Sequence, residues 1–160
     1  MEKTKSSKSS TTKKQKKSSS TSKRKSLKSN LPRVTIDFDG VIHSYLSGWK
    51  GADVIPDKPV MVYGRRAGVS KTSIDWLREL VSMKQVSVAI FSTRNTQEGG
   101  INAMKKYLKK HGLEEEYIKR IEFPETKVPS VLHIDDRAVQ FKGEFMNSED
   151  ILNFEPWKMK

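Results

Sequence analysis

Two acidic pairs could do chemistry together: Asp37-Phe38-Asp39 and Asp135-Asp136. Each follows a short run rich in β-branched and aliphatic residues, Val34-Thr35-Ile36 in one case and Val131-Leu132-His133-Ile134 in the other, so each is expected at the end of a strand. Residues two apart on an extended strand point the same way. Asp37 and Asp39 would then aim into one crevice, with the second pair arriving from a neighbouring strand. Four carboxylates so placed repel one another and stay ionised together only around a cation. An all-oxygen set with few protein ligands suits Mg2+, which keeps several waters and accepts a phosphate oxygen. The chemistry to expect is that of phosphate esters.

The elements that must position these groups read as alternating strands and helices. After the first strand, Ser73 is placed to cap a helix in which Ile74, Leu77, Leu80 and Val81 form one apolar stripe, flanked by Trp76. Residues 86–91 form a second strand that delivers Ser92-Thr93-Arg94. A helix over 100–110 follows, with Ile101, Met104 and Leu108 inward and Gly112 as its terminator. An acidic helical turn at 114–117 leads to a strand at 121–123, which Pro124 ends before the strand that carries Asp135 and Asp136. This alternation predicts an α/β fold: an open, Rossmann-like parallel sheet with helices on both faces, whose ligands bind beyond the carboxyl ends of the strands. Residues 43–71 break the pattern. With Gly48, Gly51, Pro56, Pro59, Gly64 and Gly68 they read as a flap of turns with room for a small hairpin, too short for a cap domain.

Composition divides the chain in two. Residues 1–30 hold 11 of the 31 Lys and Arg residues and one acid, Glu2, so this segment carries +10 of the net +12. It is Lys, Ser and Thr with almost nothing apolar, and ordering it would cost backbone entropy with no burial in return. A disordered basic tail is expected, followed by one folded domain over 31–160. The tail fits a nucleic-acid tether or nuclear-import signal as well as it fits a solubilising extension. The absence of cysteine excludes thiolate metal sites and a cysteine nucleophile. No apolar run approaches the roughly 20 residues that span a bilayer, and the N-terminus has no apolar stretch of the secretory kind. A cytoplasmic protein is expected, or a nuclear one if the tail is an import signal.

Asp37-Phe38-Asp39-Gly40-Val41, after its apolar strand, resembles the first motif of the haloacid dehalogenase (HAD) superfamily, DxDG[TV]. Ser92 at the end of a strand, Lys127, and Asp135-Asp136 then resemble the second, third and fourth motifs in order, so the similarity spans about residues 33–143. The resemblance implies a compact HAD-like phosphatase without a large cap. Asp37 would be the nucleophile that forms an aspartyl-phosphate, and Asp39 the acid and base. Ser92 would donate a hydrogen bond to the phosphoryl group, with Thr93 as its competitor, and Lys127 would balance charge. Mg2+ would be held by Asp37, the main-chain carbonyl of Asp39 and Asp135, with Asp136 reaching it through water. The amides of Phe38 and Asp39 could receive phosphate oxygens. Arg94 is open between a substrate contact and a solvated loop arginine.

The three histidines show no metal-ligand spacing, and His133, inside an apolar strand, reads as a hydrogen-bonded core residue. Gly99-Gly100 reads as a helix entry, and no P-loop or dinucleotide fingerprint occurs. The flap contributes Tyr45, Trp49, Lys50, Tyr63, Arg65 and Arg66, which could stack on a base and meet a phosphate, or pack as a lid. The expected function is hydrolysis of a phosphorylated substrate, a nucleotide or a nucleic-acid phosphate end. Outside enzymology the alternative is a catalytically degenerate fold that binds polyanions through its tail. Removal of residues 1–30 is expected to leave small-substrate turnover intact at low salt. A folded, truncated protein that loses that turnover would overturn this separation of tail from chemistry.

Overall fold

The computed structural model describes residues 31–63 and 70–157. The tail and the flap residues Arg65 and Arg66 lie outside them. The chain forms β1 (Arg33–Ile36), β2 (Met61–Tyr63), β3 (Ser70–Thr72), α1 (Ser73–Ser82), β4 (Ser87–Ile90), α2 (Gly100–Lys110), α3 (Glu115–Ile118), β5 (Ile121–Glu122), β6 (Leu132–Ile134) and α4 (Ser148–Leu152). Four strands make one parallel sheet in the order β5-β4-β1-β6. The chain runs outward from β1 to β4 and β5, then returns to place β6 on the other side of β1. Strand order therefore reverses at β1, the position where open α/β sheets present a crevice at their carboxyl edge.

Register sets what meets in that crevice. Ile36 pairs with Ile90 on one side and Ile134 on the other. The residues that follow these three are Asp37, Phe91 and Asp135, and backbone bonds hold them level: Asp37 N–H donates to Ile134 O at 2.8 Å, and Phe91 N–H to Ile36 O at 2.9 Å.

The central strands are buried on both faces, since Val34, Thr35, Ile36, Val88, Ala89 and Ile90 are all interior. Ile74, Leu77 and Val81 of α1 and Met104, Tyr107 and Leu108 of α2 close over them, as the apolar spacing of those helices requires. Tyr107 joins the core although periodicity had singled out only Ile101, Met104 and Leu108. β2 and β3 pair antiparallel as the small hairpin within 43–71.

Two sequence expectations fail. Ser73 does not cap α1. Thr72 does, in a reciprocal capping box with Asp75: the Thr72 hydroxyl accepts from Asp75 N–H at 3.1 Å and Thr72 N–H donates to Asp75 Oδ2 at 3.2 Å. Ser73 is buried instead and donates its hydroxyl proton to Ile42 O at 2.7 Å. Nor is His133 a core residue. β6 is an outer strand of the sheet, and Leu132 and His133 are exposed, with no element among the described residues covering them. Coverage of both faces holds at β1 and β4 and stops at β6. Thr72→Ala should cost about 1 kcal/mol, read as a lower urea midpoint with an unchanged slope; an unchanged midpoint would contradict the capping assignment.

Candidate functional site

Asp37, Asp135 and Asp136 each offer a carboxylate oxygen, and the three atoms lie within 4.8 Å of one another. The parallel register brings Asp37 and Asp135 together. Asp136 is added by a tight approach: a Cβ on Gly40 would stand 2.5 Å from Asp136 Oδ2, and Gly40 has φ +92°. The glycine after the DxD pair is thus required twice, for a left-handed turn and for room beside a carboxylate. Asp135 is exposed, and its Oδ1 accepts Arg137 N–H at 2.7 Å. The Asp136 side chain is only 5% exposed, and its Oδ1 is buried without a hydrogen-bond partner among the described residues.

The electrostatics follow from this crowding. Burial pushes Asp37 up to about 7, with the charges of Asp135, Asp39 and Asp136 adding to the rise and the Phe38 N–H, 2.7 Å from Asp37 Oδ1, opposing it. Burial also raises Asp136, partly offset by Arg137. Two raised carboxyls, an exposed third and an orphaned buried oxygen form a donor set that fits a hard divalent cation.

The fourth carboxylate is spent elsewhere. Asp39 accepts from Arg94 through both oxygens, Nε to Oδ2 at 2.8 Å and Nη2 to Oδ1 at 3.1 Å, and from His43 Nδ1 at 2.9 Å. Asp57 N–H donates to His43 Nε2 at 3.1 Å, which assigns the imidazole proton to Nδ1. Burial alone would raise Asp39, but the His43 and Arg94 hydrogen bonds and the Arg94 charge outweigh it and hold this carboxyl below its ordinary value. Arg94 is fully buried. Its remaining nitrogen donates to the carbonyls of Gly51, Ala52 and Val54 at 2.8, 2.7 and 3.3 Å. Of the two sequence readings for Arg94, the solvated loop arginine fails because the side chain is buried; its bonds among the described residues hold Asp39 and the loop carbonyls of Gly51, Ala52 and Val54. Phe38 N–H donates to the Asp37 carboxylate beside it.

A cavity of about 440 Å³ opens over Asp37 and Asp135, walled by Tyr45, Trp49, Phe91, Ser92, Thr93 and Arg137, among others. Ser92 is buried at the end of β4. It heads the 3₁₀ turn Thr93–Thr96, donating its N–H to Asn95 Oδ1 at 3.3 Å and accepting Arg94 N–H at 3.5 Å, and no acceptor among the described residues takes its own hydroxyl proton. Thr93 lines the same cavity from an exposed position. Lys127 is exposed, does not line the cavity, and makes no ion pair among the described residues. Two contributors escaped the sequence reading. Arg137, set over the Tyr45 ring at 5.5 Å, brings a cation to the cavity wall. His43 bridges Asp39 to Asp57. Nothing in a lone arginine or histidine on a loop announces either contact.

No protein-family model, curated protein or solved structure matches this chain. Among the described residues, no helix is long and apolar enough to cross a membrane.

The raised Asp37 has a sign that can be measured. Between pH 4 and 7 the folded, metal-free protein keeps a proton on Asp37 that the unfolded chain has released. The folded state therefore binds more protons, and stability falls as pH rises through that window, by on the order of 2–4 kcal/mol. Asp37→Asn removes this loss. Metal-free Asp37→Asn should melt above wild type at pH 8 and close to it at pH 4; equal midpoints at pH 8 would show that burial and the neighbouring carboxylates do not raise Asp37 as described.

Proposed function

We propose that this chain is a Mg2+-dependent phosphomonoester hydrolase of the HAD type, with a Rossmann-like sheet and an aspartyl-phosphate on Asp37, acting on a nucleotide or a nucleic-acid phosphate end. The observation that carries the reading is the meeting of Asp37, Asp135 and Asp136 at the strand-order reversal, with the buried Asp136 oxygen left unpaired among the described residues and Ser92 in the cavity that Asp37 and Asp135 line.

Asp37, Asp135 and Asp136 would hold the cation, with the Asp39 carbonyl as a fourth ligand. When bound, Mg2+ neutralises the carboxylates and the phosphoryl oxygens facing them. Ionised Asp37 attacks phosphorus in line as the bond to the leaving oxygen breaks, and Ser92 donates to a phosphoryl oxygen. Water then attacks the aspartyl-phosphate, its proton passing to Asp39, and releases phosphate with Asp37 restored. Arg94 and His43 keep Asp39 in the basic form that this second half needs. The same pairing opposes its acting as an acid in the first half, so leaving groups that depart as stable anions are favoured. Arg137, on the cavity wall, is the cation at hand for the remaining negative charge, and Lys127 would have to reach in from outside that wall.

The non-hydrolytic alternative, a polyanion-binding protein acting through its tail, draws on one observation: the expected acid, Asp39, is already paired. Hydrolysis of p-nitrophenyl phosphate, whose leaving group needs little protonation, decides between them. Wild type should release nitrophenol only with Mg2+, and Asp37→Asn should fall by at least about 10³-fold, as loss of a nucleophile does. No turnover by folded wild type, repeated with nucleotides and a 3′-phosphorylated oligonucleotide, would leave the binding reading in its place.

A further inference from the structure

We propose that Trp49 is the nucleobase platform of this site, a reading that rests on the phosphomonoesterase assignment and gives its leaving group a shape. Trp49 is 44% exposed and lines the cavity that holds Asp37, Ser92 and Asp135. The guanidinium of Arg94 lies 4.6 Å from the centre of its ring. That guanidinium is fixed by its bidentate pairing to Asp39 and by the carbonyls of Gly51, Ala52 and Val54, the residues just beyond Trp49. Asp57 binds the loop from its other end, accepting Ser47 N–H at 2.9 Å and the Ser47 hydroxyl at 2.7 Å.

An exposed indole on so braced a loop loses little freedom when a planar group stacks on it. The cation against the ring draws on its π density, which makes the indole a better partner for an electron-rich base. Tyr45 and Phe91 add aromatic wall, and Arg137 over Tyr45 adds a cation suited to a sugar-phosphate. The cavity volume falls within the roughly 300–1,000 Å³ usual for small-molecule sites. The ligand is a nucleoside carrying a terminal phosphomonoester, with its phosphate at Asp37 and its base on Trp49. It can come as a free nucleotide or as the last nucleotide of a single strand, which present the same chemistry.

The test is calorimetric binding to the full chain in Mg2+, in an Asp37→Asn background that prevents turnover. The ligands are AMP, ribose 5-phosphate and a 3′-phosphorylated dinucleotide. With Trp49 present, AMP or the dinucleotide should bind about ten-fold more tightly than ribose 5-phosphate, and whichever binds better names the source. Trp49→Ala should bring that ratio near one, and Trp49→Phe should keep most of it. Equal affinity for all three ligands with Trp49 in place overturns the proposal, as does no saturable binding of either nucleotide, or a ratio that survives Trp49→Ala. Failure of the phosphatase reading looks different: wild type would release phosphate from none of the three while the Trp49-dependent preference persisted.

Discussion

The buried pair between Arg94 and Asp39 is the constraint on which the rest of the site depends. Taking a guanidinium and a carboxylate out of water costs several kcal/mol per ion, and the pair survives only if nearly every donor and acceptor is satisfied. Here they are. Arg94 bonds Asp39 twice and three backbone carbonyls once each, and His43 bonds Asp39 in turn. Together these bonds tie three parts of the chain to the same point: the turn after β1, the turn after β4, and the loop from Gly51 to Val54. The sheet alone would leave those three segments free to move at its edge.

That pairing also divides the acidic groups. Left to itself, a cluster of four carboxylates would shed charge by protonation or by moving apart. Pairing Asp39 internally leaves three. Their backbone positions are set by the Ile36 to Ile134 register and by the close approach of Asp136 to Gly40, and neither can relax without disturbing the core. The protein therefore keeps these groups buried and crowded, and burial first, with neighbouring negative charge adding to it, raises Asp37 and Asp136. Strain confined to a few groups at a crevice, in a core otherwise well matched to its sequence, is the pattern expected where binding is to be done.

The elements were legible because they rest on local periodicity: the stripe of α1, the bounds of α2, the apolar run of each strand and the acids that follow them. Convergence of Asp37 and Asp135 was legible for the same reason, since alternating strands and helices imply a parallel sheet whose ends align. What stayed hidden depends on direction in space. Thr72 and Ser73 are both good caps, and only the burial of Ser73 against Ile42 separates them. His133 sits in an apolar run, yet nothing in that run says that β6 is an outer strand. Arg94 could not be read because its partners lie about 40 and 55 positions away. A count of charges at the strand ends gave four free acids, and the true count needed the arginine's direction.

Pinning the flap at Arg94 bears on how the site can select a ligand. A lid that swings closed must be loosely held, and its ordering is part of the cost of binding. The loop from Tyr45 to Asp57 is held instead at its middle, by Arg94 at Gly51, Ala52 and Val54, and at its far end, by His43 and Tyr107 at Asp57. Tyr45 itself sits at φ +58°, a left-handed conformation that a bulky residue takes at some cost. A segment braced and strained in this way acts as a fixed wall. Selectivity must then come from shape and stacking against that wall, with the carboxylates behind it discriminating by charge. Both features line the same 440 Å³ cavity, so the phosphorylated nucleoside proposed above would meet them together, its base on the aromatic side and its phosphate, with a cation, on the acidic side.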